Sequence, residues 1–279
     1  MELQLQVFIK QILLLLLLTF CSIFSSYAQT KTSRDSITRI LKSQPSFSIY
    51  KDNYFITGTT TQEEPTIHNS DIKMQISIKQ RLSNSTMLFK SVLYLTYTQK
   101  SFWKIYEKSS PFAETIFNPS LGLGKMIFKN GKQIGVATLQ VEHESNGRDS
   151  TYSRSWNFVS VSYMAFISKK ITLTGKAWIP FLYDQKDLVD YVGLGEFTFN
   201  WEIIKNKFNF STVIRKGSQW DLRGSIQMNL YYNPLKNANQ YFYLQFFNGY
   251  AENLINYDQI TSMIRFGICI RSDGKMFNR

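Results

Sequence analysis

Cysteine is scarce in this chain of 279 residues, which contains only Cys21 and Cys269. Cys21 falls in the N-terminal leader described below, so Cys269 is left without a partner for an internal disulfide. A secreted domain of roughly 250 residues can fold on its core alone. The sequence therefore excludes a disulfide scaffold and a metal centre built on cysteines.

Long apolar runs are also few. The clearest run, residues 12–20, is too short for a helix that spans a bilayer. Lys10 precedes this run, and the small residues Ser26 and Ala28 flank Tyr27 after it. This order predicts a signal peptide, residues 1–28, cleaved after Ala28, and a mature domain of residues 29–279 that is exported.

Acidic residues are outnumbered by basic ones, and the formal net charge is +12. Cleavage of residues 1–28 would not change it, because Lys10 and Glu2 cancel. A basic chain can bind nucleic acid, but a signal peptide argues against that partner. Two interpretations remain open, namely an anionic membrane surface and lysines that are simply solvated on loops.

What the sequence does contain is alternation of apolar and polar residues. In residues 71–80 the even positions are Ile or Met except Gln80, and the odd positions are Asp, Lys, Gln or Ser. Period two predicts strands with two distinct faces, and residues 221–232 and 262–271 repeat it. Twelve such segments occur, at 46–58, 71–83, 87–99, 119–129, 133–145, 155–167, 170–180, 191–202, 206–216, 220–233, 238–250 and 260–271.

Turn signals separate several of these segments, such as Asn130-Gly131 and Asn233-Pro234. Aromatic residues make up 15% of the chain, which suits the rims of a barrel in a membrane. Each segment is long enough to cross a bilayer when tilted. The predicted fold is all-β, a transmembrane antiparallel β-barrel of about twelve strands in a bacterial outer membrane.

Three polar residues interrupt the apolar faces of two neighbouring strands. His143 and Ser145 share parity with Leu139 and Val141, and Asn157 lies on the outward face of the next strand. Polar groups facing lipid are costly. The sequence offers Ser145 as a nucleophile, His143 as its base and Asn157 as the group that orients the imidazole. Interfacial side chains without catalytic roles would give the same pattern.

A neutral Asn stabilises an imidazolium less than a carboxylate does, so such a site needs further stabilisation. Gly147 can supply a backbone N–H to an oxyanion, and a bound cation is the natural supplement. The G-x-S-x-G motif of the lipase elbow is absent from the sequence. The lipase elbow therefore gives no support for Ser145 as a nucleophile.

Two blocks of the sequence resemble the outer-membrane phospholipase A family. One block joins His-Glu-Ser-Asn-Gly-Arg at 143–148 to Ser-Arg-Ser-Trp-Asn at 153–157. The other joins Tyr-Thr-Gln-Lys-Ser-Phe-Trp at 97–103 to Ser-Ser-Pro-Phe-Ala-Glu-Thr at 109–115. The resemblance implies a twelve-stranded barrel that needs Ca²⁺, works as a homodimer and hydrolyses phospholipid acyl esters at either glycerol position.

The resemblance also implies roles for single residues. Ser145, His143 and Asn157 would be catalytic, and Gly147 would be an oxyanion donor. The Arg148 carbonyl and the Ser153 hydroxyl would bind Ca²⁺, Ser109 would add a ligand from the partner subunit, and Gln99 would hydrogen-bond across the dimer interface. The chain departs from the family at Ala113, where relatives often have Arg, which removes a charge from that block.

Two alternatives use the same sequence differently. A non-catalytic outer-membrane pore or scaffold barrel would share the strands but not the chemistry, and it would tolerate Ser145→Ala. A soluble β-sandwich lectin would leave the apolar outward rows unexplained.

Overall fold

The computed structural model describes residues 37, 41–183, 185–235 and 239–271. The predicted signal peptide, residues 1–28, lies outside this part of the chain. Within it, no helix has both the length and the apolar character needed to cross a membrane.

The described chain forms one antiparallel sheet of thirteen strands. The strands are β1 (Phe47–Ile49), β2 (Asn53–Thr60), β3 (Ser70–Arg81), β4 (Val92–Trp103), β5 (Phe112–Lys129), β6 (Lys132–Ser145), β7 (Ser155–Phe166), β8 (Ile171–Phe181), β9 (Gly195–Ile204), β10 (Phe208–Lys216), β11 (Gly224–Tyr232), β12 (Gln240–Gly249) and β13 (Thr261–Ile270). Each strand from β2 to β13 pairs with its neighbours in the chain, and β13 pairs with β2.

The sheet closes into a barrel of twelve strands. The short strand β1 pairs with the last residues of β3, and β2 pairs with the first residues of β3, so β1 and β2 act as one interrupted strand. β3 also pairs with β4. Closure pairs each strand from β2 to β13 on both sides, as a bilayer requires, and it confirms the predicted fold class.

The two faces of the strands differ as the alternation predicts. The outer wall exposes apolar side chains, for example Ile76, Phe266 and Ile268. The inner face buries polar ones, including Lys73 and Ser77. An apolar outer wall around a polar interior is the arrangement of a barrel in a lipid bilayer.

Charged side chains fill the interior. Arg265 pairs with Asp71 through two bonds of 2.7 and 2.9 Å, and Glu252 accepts bonds from both Arg265 and Lys73 at 2.6 and 2.8 Å. Lys73 also donates to Gln245 at 2.7 Å. Buried charges persist only when they are paired and hydrogen-bonded, so this network holds the interior in one arrangement.

An N-terminal segment packs against one end of the barrel. Ile37 and Leu41 are buried against Val92, Met126 and Val136, which lie where β4 starts, β5 ends and β6 starts. Burial of these two apolar side chains stabilises their contact with the barrel.

Several strand boundaries differ from the predictions. Strand β5 begins at Phe112 instead of residue 119, because Pro119 lies inside the strand where the sequence suggested a start. The strand predicted to begin at residue 191 begins at Gly195 instead, because a short helix, α1 (Leu188–Val192), comes before it. The strand predicted to begin at residue 220 begins at Gly224, and residues 220–223 belong to the preceding loop. Phe89 lies in a 3₁₀ turn, so the strand predicted at 87–99 begins only at Val92.

The two ends of the barrel have different connections. Longer loops form what we call the loop end, and their described residues are 61–69, 104–111, 146–154, 182–183, 185–194, 217–223 and 250–260. Other connections form the turn end, and their described residues are 82–91, 130–131, 167–170, 205–207, 233–235 and 239. The tightest is Asn130-Gly131, in which both residues have the positive φ of a hairpin turn.

Candidate active site

The residues predicted to be catalytic meet on the outer wall near the loop end. In the ladder between β6 and β7, His143 lies opposite Asn157 and Ser145 lies opposite Ser155. His143 shares its face with the exposed Val141, whereas its neighbour Glu142 is buried in the interior. The imidazole is partly buried and faces away from the interior.

A chain of hydrogen bonds fixes the imidazole. Nδ1 of His143 lies 3.0 Å from Oδ1 of Asn157, and Nδ2 of Asn157 donates to the Leu182 carbonyl oxygen at 2.9 Å. The carbonyl can only accept, so it must face the amide nitrogen and the amide oxygen must face His143. Nδ1 therefore carries the hydrogen, and Nε2 keeps a lone pair for a proton.

Pro119 interrupts the ladder on the other side of His143. The pairing between β5 and β6 includes Phe117 with Ser145 and Ser120 with Glu142, with no pair between them, which puts Pro119 opposite His143. Proline has no N–H to donate to the ladder. Nδ2 of Asn118 donates to the His143 carbonyl at 2.9 Å instead, so the backbone that carries the imidazole is still held.

An apolar groove of about 710 Å³ runs along the outer wall below the imidazole. His143 and Asn157 lie at one end of it, and side chains such as Leu95, Leu121 and Val141 line its length. A groove of this kind can accept an alkyl chain and leave the group at its end beside His143.

Gly147 follows the end of β6 and has a backbone conformation that suits glycine. Its φ is +65°, and a Cβ at this position would lie 2.9 Å from the ring of Phe117. A side chain would therefore be strained and would also clash. Gly147 stands two residues after Ser145 in the chain, and its role as an oxyanion donor stays a prediction.

Asn146 is buried and holds the loop after β6 together. Its Oδ1 accepts bonds from the backbone N–H groups of Arg148 and Arg154 at 3.3 and 3.1 Å. Its Nδ2 donates to the Tyr152 carbonyl at 2.8 Å and to Glu114 Oε1 at 3.2 Å. One amide thus makes three contacts with the backbone of loop 146–154, and these contacts join its two arms, the residues that follow β6 and the residues that precede β7.

Comparison with known proteins decides the family of this chain. The phospholipase A1 family model matches residues 28–270. The chain belongs to the phospholipase A1 family. The match covers every strand of the barrel and both motif blocks that carry the resemblance.

Relatives in this family are distant in sequence but close in fold. A protein of Neisseria meningitidis is 27% identical over an alignment of 226 residues that covers 76% of this chain and 57% of that protein. The phospholipase A1 of Proteus vulgaris is 27% identical over 79% of this chain and 80% of its own length. The solved outer membrane phospholipase dimer of Salmonella typhi, with bound calcium, superposes with a TM-score of 0.72 at 26% identity over 86% of this chain and 99% of that one.

The residues predicted to bind calcium lie on loops at the same end of this phospholipase A1 family member. Arg148 and Ser153 lie on the two arms of the loop that Asn146 holds, and Ser109 is exposed on the loop between β4 and β5. The described chain has no cluster of three or more His, Cys, Asp or Glu side chains suited to a metal.

The donor chemistry nevertheless fits a calcium ion. A hydroxyl and a backbone carbonyl are oxygen ligands of the kind that Ca²⁺ takes together with water. The Ser153 hydroxyl makes no hydrogen bond to the described residues, while the Ser153 carbonyl accepts one from Gln185 at 3.1 Å. The backbone of the loop is thus fixed, and the hydroxyl is left available.

Gln99 lies on the outer wall at the level of Ser145. The register pairs Gln99 with Phe117, and Phe117 with Ser145. Within the chain, Gln99 accepts a bond from Tyr97 at 2.9 Å and donates to Ser101 at 3.4 Å. These contacts hold a polar amide on an otherwise apolar surface, and its predicted role across a dimer interface stays a prediction.

Three functional contacts were not predicted from the sequence. The bond to Leu182 involves a backbone carbonyl, which no residue type signals. Asn146 and Glu114 stand inside the motif blocks, but their burial depends on loops distant in the chain, since Glu114 also accepts a bond from the Leu254 N–H at 2.8 Å. The one sequence feature that could have indicated these contacts is an Asn directly before a Gly at the end of a strand.

Proposed function

We propose that this chain is a calcium-dependent outer-membrane phospholipase that hydrolyses acyl esters of phospholipids and lysophospholipids, with both A1 and A2 activity. Its catalytic residues are Ser145, His143 and Asn157, and it is active as a homodimer. The hydrogen-bonded chain from His143 through Asn157 to Leu182 is the observation that carries the proposal. It provides an imidazole in the tautomer that a serine hydrolase uses.

In the proposed reaction, these groups have the following roles. Ser145 Oγ attacks the ester carbonyl and passes its proton to Nε2 of His143. The N–H of Gly147 donates to the oxyanion. Collapse of the intermediate breaks the ester bond, and the leaving glycerol oxygen takes the proton from His143. Water, activated by the same imidazole, then releases the fatty acid and restores Ser145.

The substrate binds along the outer wall in this proposal. An acyl chain lies in the groove beside Leu95, Leu121 and Val141, which places its ester near His143. The headgroup then faces the loop end, where the loops are polar. Lipid reaches this site from the bilayer, so the chain does not need a path through the barrel interior.

Calcium would be held by the Arg148 carbonyl and the Ser153 hydroxyl, with Ser109 of a second copy completing the set. The ion would supply positive charge beside the oxyanion, which the neutral Asn157 does not. The solved Salmonella relative, a dimer with bound calcium, supports this assignment. A monomer would lack the ligand from its partner, so association of two barrels would switch activity on.

The test is release of fatty acid from phospholipid micelles by refolded full-length protein. Wild type should release fatty acid with Ca²⁺, and a chelator should abolish the release. Ser145→Ala should lower kcat by at least about 10³-fold, while Ser155→Ala, which removes the hydroxyl across the ladder, should stay within a few-fold of wild type. Heat-modifiable migration on SDS gels checks folding. Full activity of folded Ser145→Ala would refute the proposal.

The interior network argues against the pore as the main function. Paired charges occupy the interior, namely those of Arg265, Asp71, Glu252 and Lys73. Two apolar side chains, Ile37 and Leu41, pack at the turn end. Planar-bilayer recording should therefore show no steady ion conductance from the wild type. Steady conductance together with an inactive hydrolase would favour the pore.

A further inference from the structure

Exposed lysines gather at the turn end of the barrel. They stand before β1 and on or beside four of the turns: Lys42, Lys90, Lys129, Lys132, Lys169, Lys170, Lys205 and Lys207. Among the described residues, Glu202 is the only carboxylate within three positions of the turns at this end. The turn end is therefore strongly cationic.

The loop end has a different balance of charge. Its described loops carry nine carboxylate and six basic side chains. Several of these form ion pairs, such as Arg223 with Asp221 at 2.6 Å. The positive charge of the chain is thus concentrated at one end instead of being spread evenly, which solvation of loops alone does not explain.

Apolar side chains accompany the lysines at the turn end. Phe89 is 81% exposed next to Lys90, and Ile204 is 53% exposed next to Lys205. Ile167 begins the turn that carries Lys169 and Lys170, and it is also exposed. Side chains of these two kinds side by side suit the boundary between hydrocarbon and headgroups, where the apolar ones enter the bilayer and the lysines stay in the polar layer.

The spacing along the barrel agrees with that placement. Eleven positions of β6 separate Lys132 from His143. With a rise of about 3.4 Å per residue and a tilt of about 40°, this is roughly 28 Å along the barrel axis, close to the thickness of a bilayer's hydrocarbon core. The lysines thus lie at the headgroup level of the leaflet opposite the active site.

We propose that the turn-end lysines form a binding surface for anionic phospholipid headgroups, phosphatidylglycerol being the simplest, in the leaflet that faces the turn end. Each headgroup phosphate would be held by lysines of neighbouring turns while its acyl chains lie on the exposed apolar side chains above them. The surface would fix the height and tilt of the barrel through the leaflet that it does not hydrolyse. This binding requires none of the catalytic residues.

The experiment uses full-length protein with Ser145→Ala, which prevents hydrolysis of the probe, in bilayers that contain spin-labelled phosphatidylglycerol or phosphatidylcholine. Electron spin resonance gives the relative association of each lipid with the protein. One variant combines Lys132→Gln, Lys170→Gln and Lys207→Gln. The matched control removes the same charge at the loop end with Lys104→Gln, Lys108→Gln and Lys186→Gln.

The parent should prefer phosphatidylglycerol several-fold at low salt, and the preference should fall toward unity at 0.5 M NaCl, at which surface charges are screened over about 4 Å. The turn-end variant should lose at least half of the preference, and the loop-end control should keep it. A turn-end variant with the full preference, equal loss in both variants, or no preference in the parent would overturn the proposal.

One further arm separates a lipid from a free anion. Inorganic phosphate at matched ionic strength should leave the preference unchanged, because it lacks the acyl chains that the apolar side chains hold. If phosphate removes the preference, the lysines bind the free ion and the lipid assignment is wrong. Failure of the catalytic proposal would not change these readings, because the assay measures lipid association and not hydrolysis.

Discussion

Asn157 donates from its amide nitrogen to the carbonyl of Leu182 over 2.9 Å, and this bond determines which atom of the amide faces His143. The Leu182 backbone lies in the left-handed region, with φ of 49°. A loop conformation outside the strands thus fixes the tautomer of an imidazole on β6.

The first prediction concerns Asn157. We expect Asn157→Ala to lower kcat by about 10²-fold with little change in KM, because the base remains but its ring is no longer oriented. Steady-state kinetics with a chromogenic ester in detergent micelles measures both constants. Asn248→Ala, on the exposed side of β12, is the control. A kcat within twofold of wild type for folded Asn157→Ala would show that the bond is dispensable.

The second prediction concerns calcium and Asn146. Since this side chain holds the arms that carry Arg148 and Ser153, Asn146→Ala should raise the calcium concentration for half-maximal activity by about 10- to 100-fold. Excess calcium should restore part of the rate. A calcium titration of activity measures the shift, with Asn248→Ala again as the control. An unchanged midpoint would mean that the loop binds the ion without this support.

Gly147 provides a third prediction. Gly147→Ala should lower kcat at least about 10-fold, because a Cβ would meet Phe117 at 2.9 Å and displace the N–H. Gly131 is a matched control, since it has a φ of +75° with nothing within 4 Å of a Cβ. Gly131→Ala should cost about 1 kcal/mol of stability and leave kcat unchanged. Equal kinetic losses in both variants would indicate that backbone strain alone is responsible.

The fourth prediction concerns pH and Glu252, in the loop between β12 and β13. Burial would raise the pKa of this carboxyl, but Arg265 and Lys73 outweigh burial and lower the pKa to about 2. A lowered pKa contributes stability above the ordinary value near 4.5, and the contribution is lost as pH falls toward 2. Glu252→Gln should therefore be less stable than wild type at pH 7, and this gap should narrow below pH 4.

Urea unfolding followed by heat-modifiable migration at pH 7 and pH 3 measures that gap. Comparing two variants at each pH cancels the titration of the other carboxyl groups. Glu202→Gln, at a half-buried site at the turn end, is the control and should show a small gap at both values. A gap for Glu252→Gln that stays constant with pH would mean that the ion pairs contribute nothing through this group.

The sequence predicted the strands because burial on one face imposes period two, and Arg265 between Ile264 and Phe266 follows that rule. It placed His143, Ser145 and Asn157 on one surface for the same reason. It failed where local signals conflict with pairing. Pro119 suggested a strand start, but neighbours on β4 keep the strand going to Phe112.

Other features depend on contacts that no local pattern contains. An Asn before a Gly occurs in many turns, so the pair at Asn146 does not predict a buried side chain. Asn146 is buried because it donates to Glu114, which in turn accepts a bond from the Leu254 N–H in a distant loop. Ile37 and Leu41 are apolar residues in a mostly polar stretch of sequence, and they are buried only because side chains of β4, β5 and β6 pack against them. Such contacts join residues far apart in the chain, so they follow from the closed barrel and not from spacing.

The groove below His143 lies on the convex outer surface of the barrel, so it is open on the side that faces away from the barrel. An alkyl chain bound there can contact Leu95 and Val141 on one side only, and its other side stays exposed to whatever surrounds the barrel. In the proposed dimer, the outer wall of the second barrel would cover that open side and would hold the alkyl chain more firmly than fluid lipid does. Hydrolysis would then depend on which molecule lies beside the barrel.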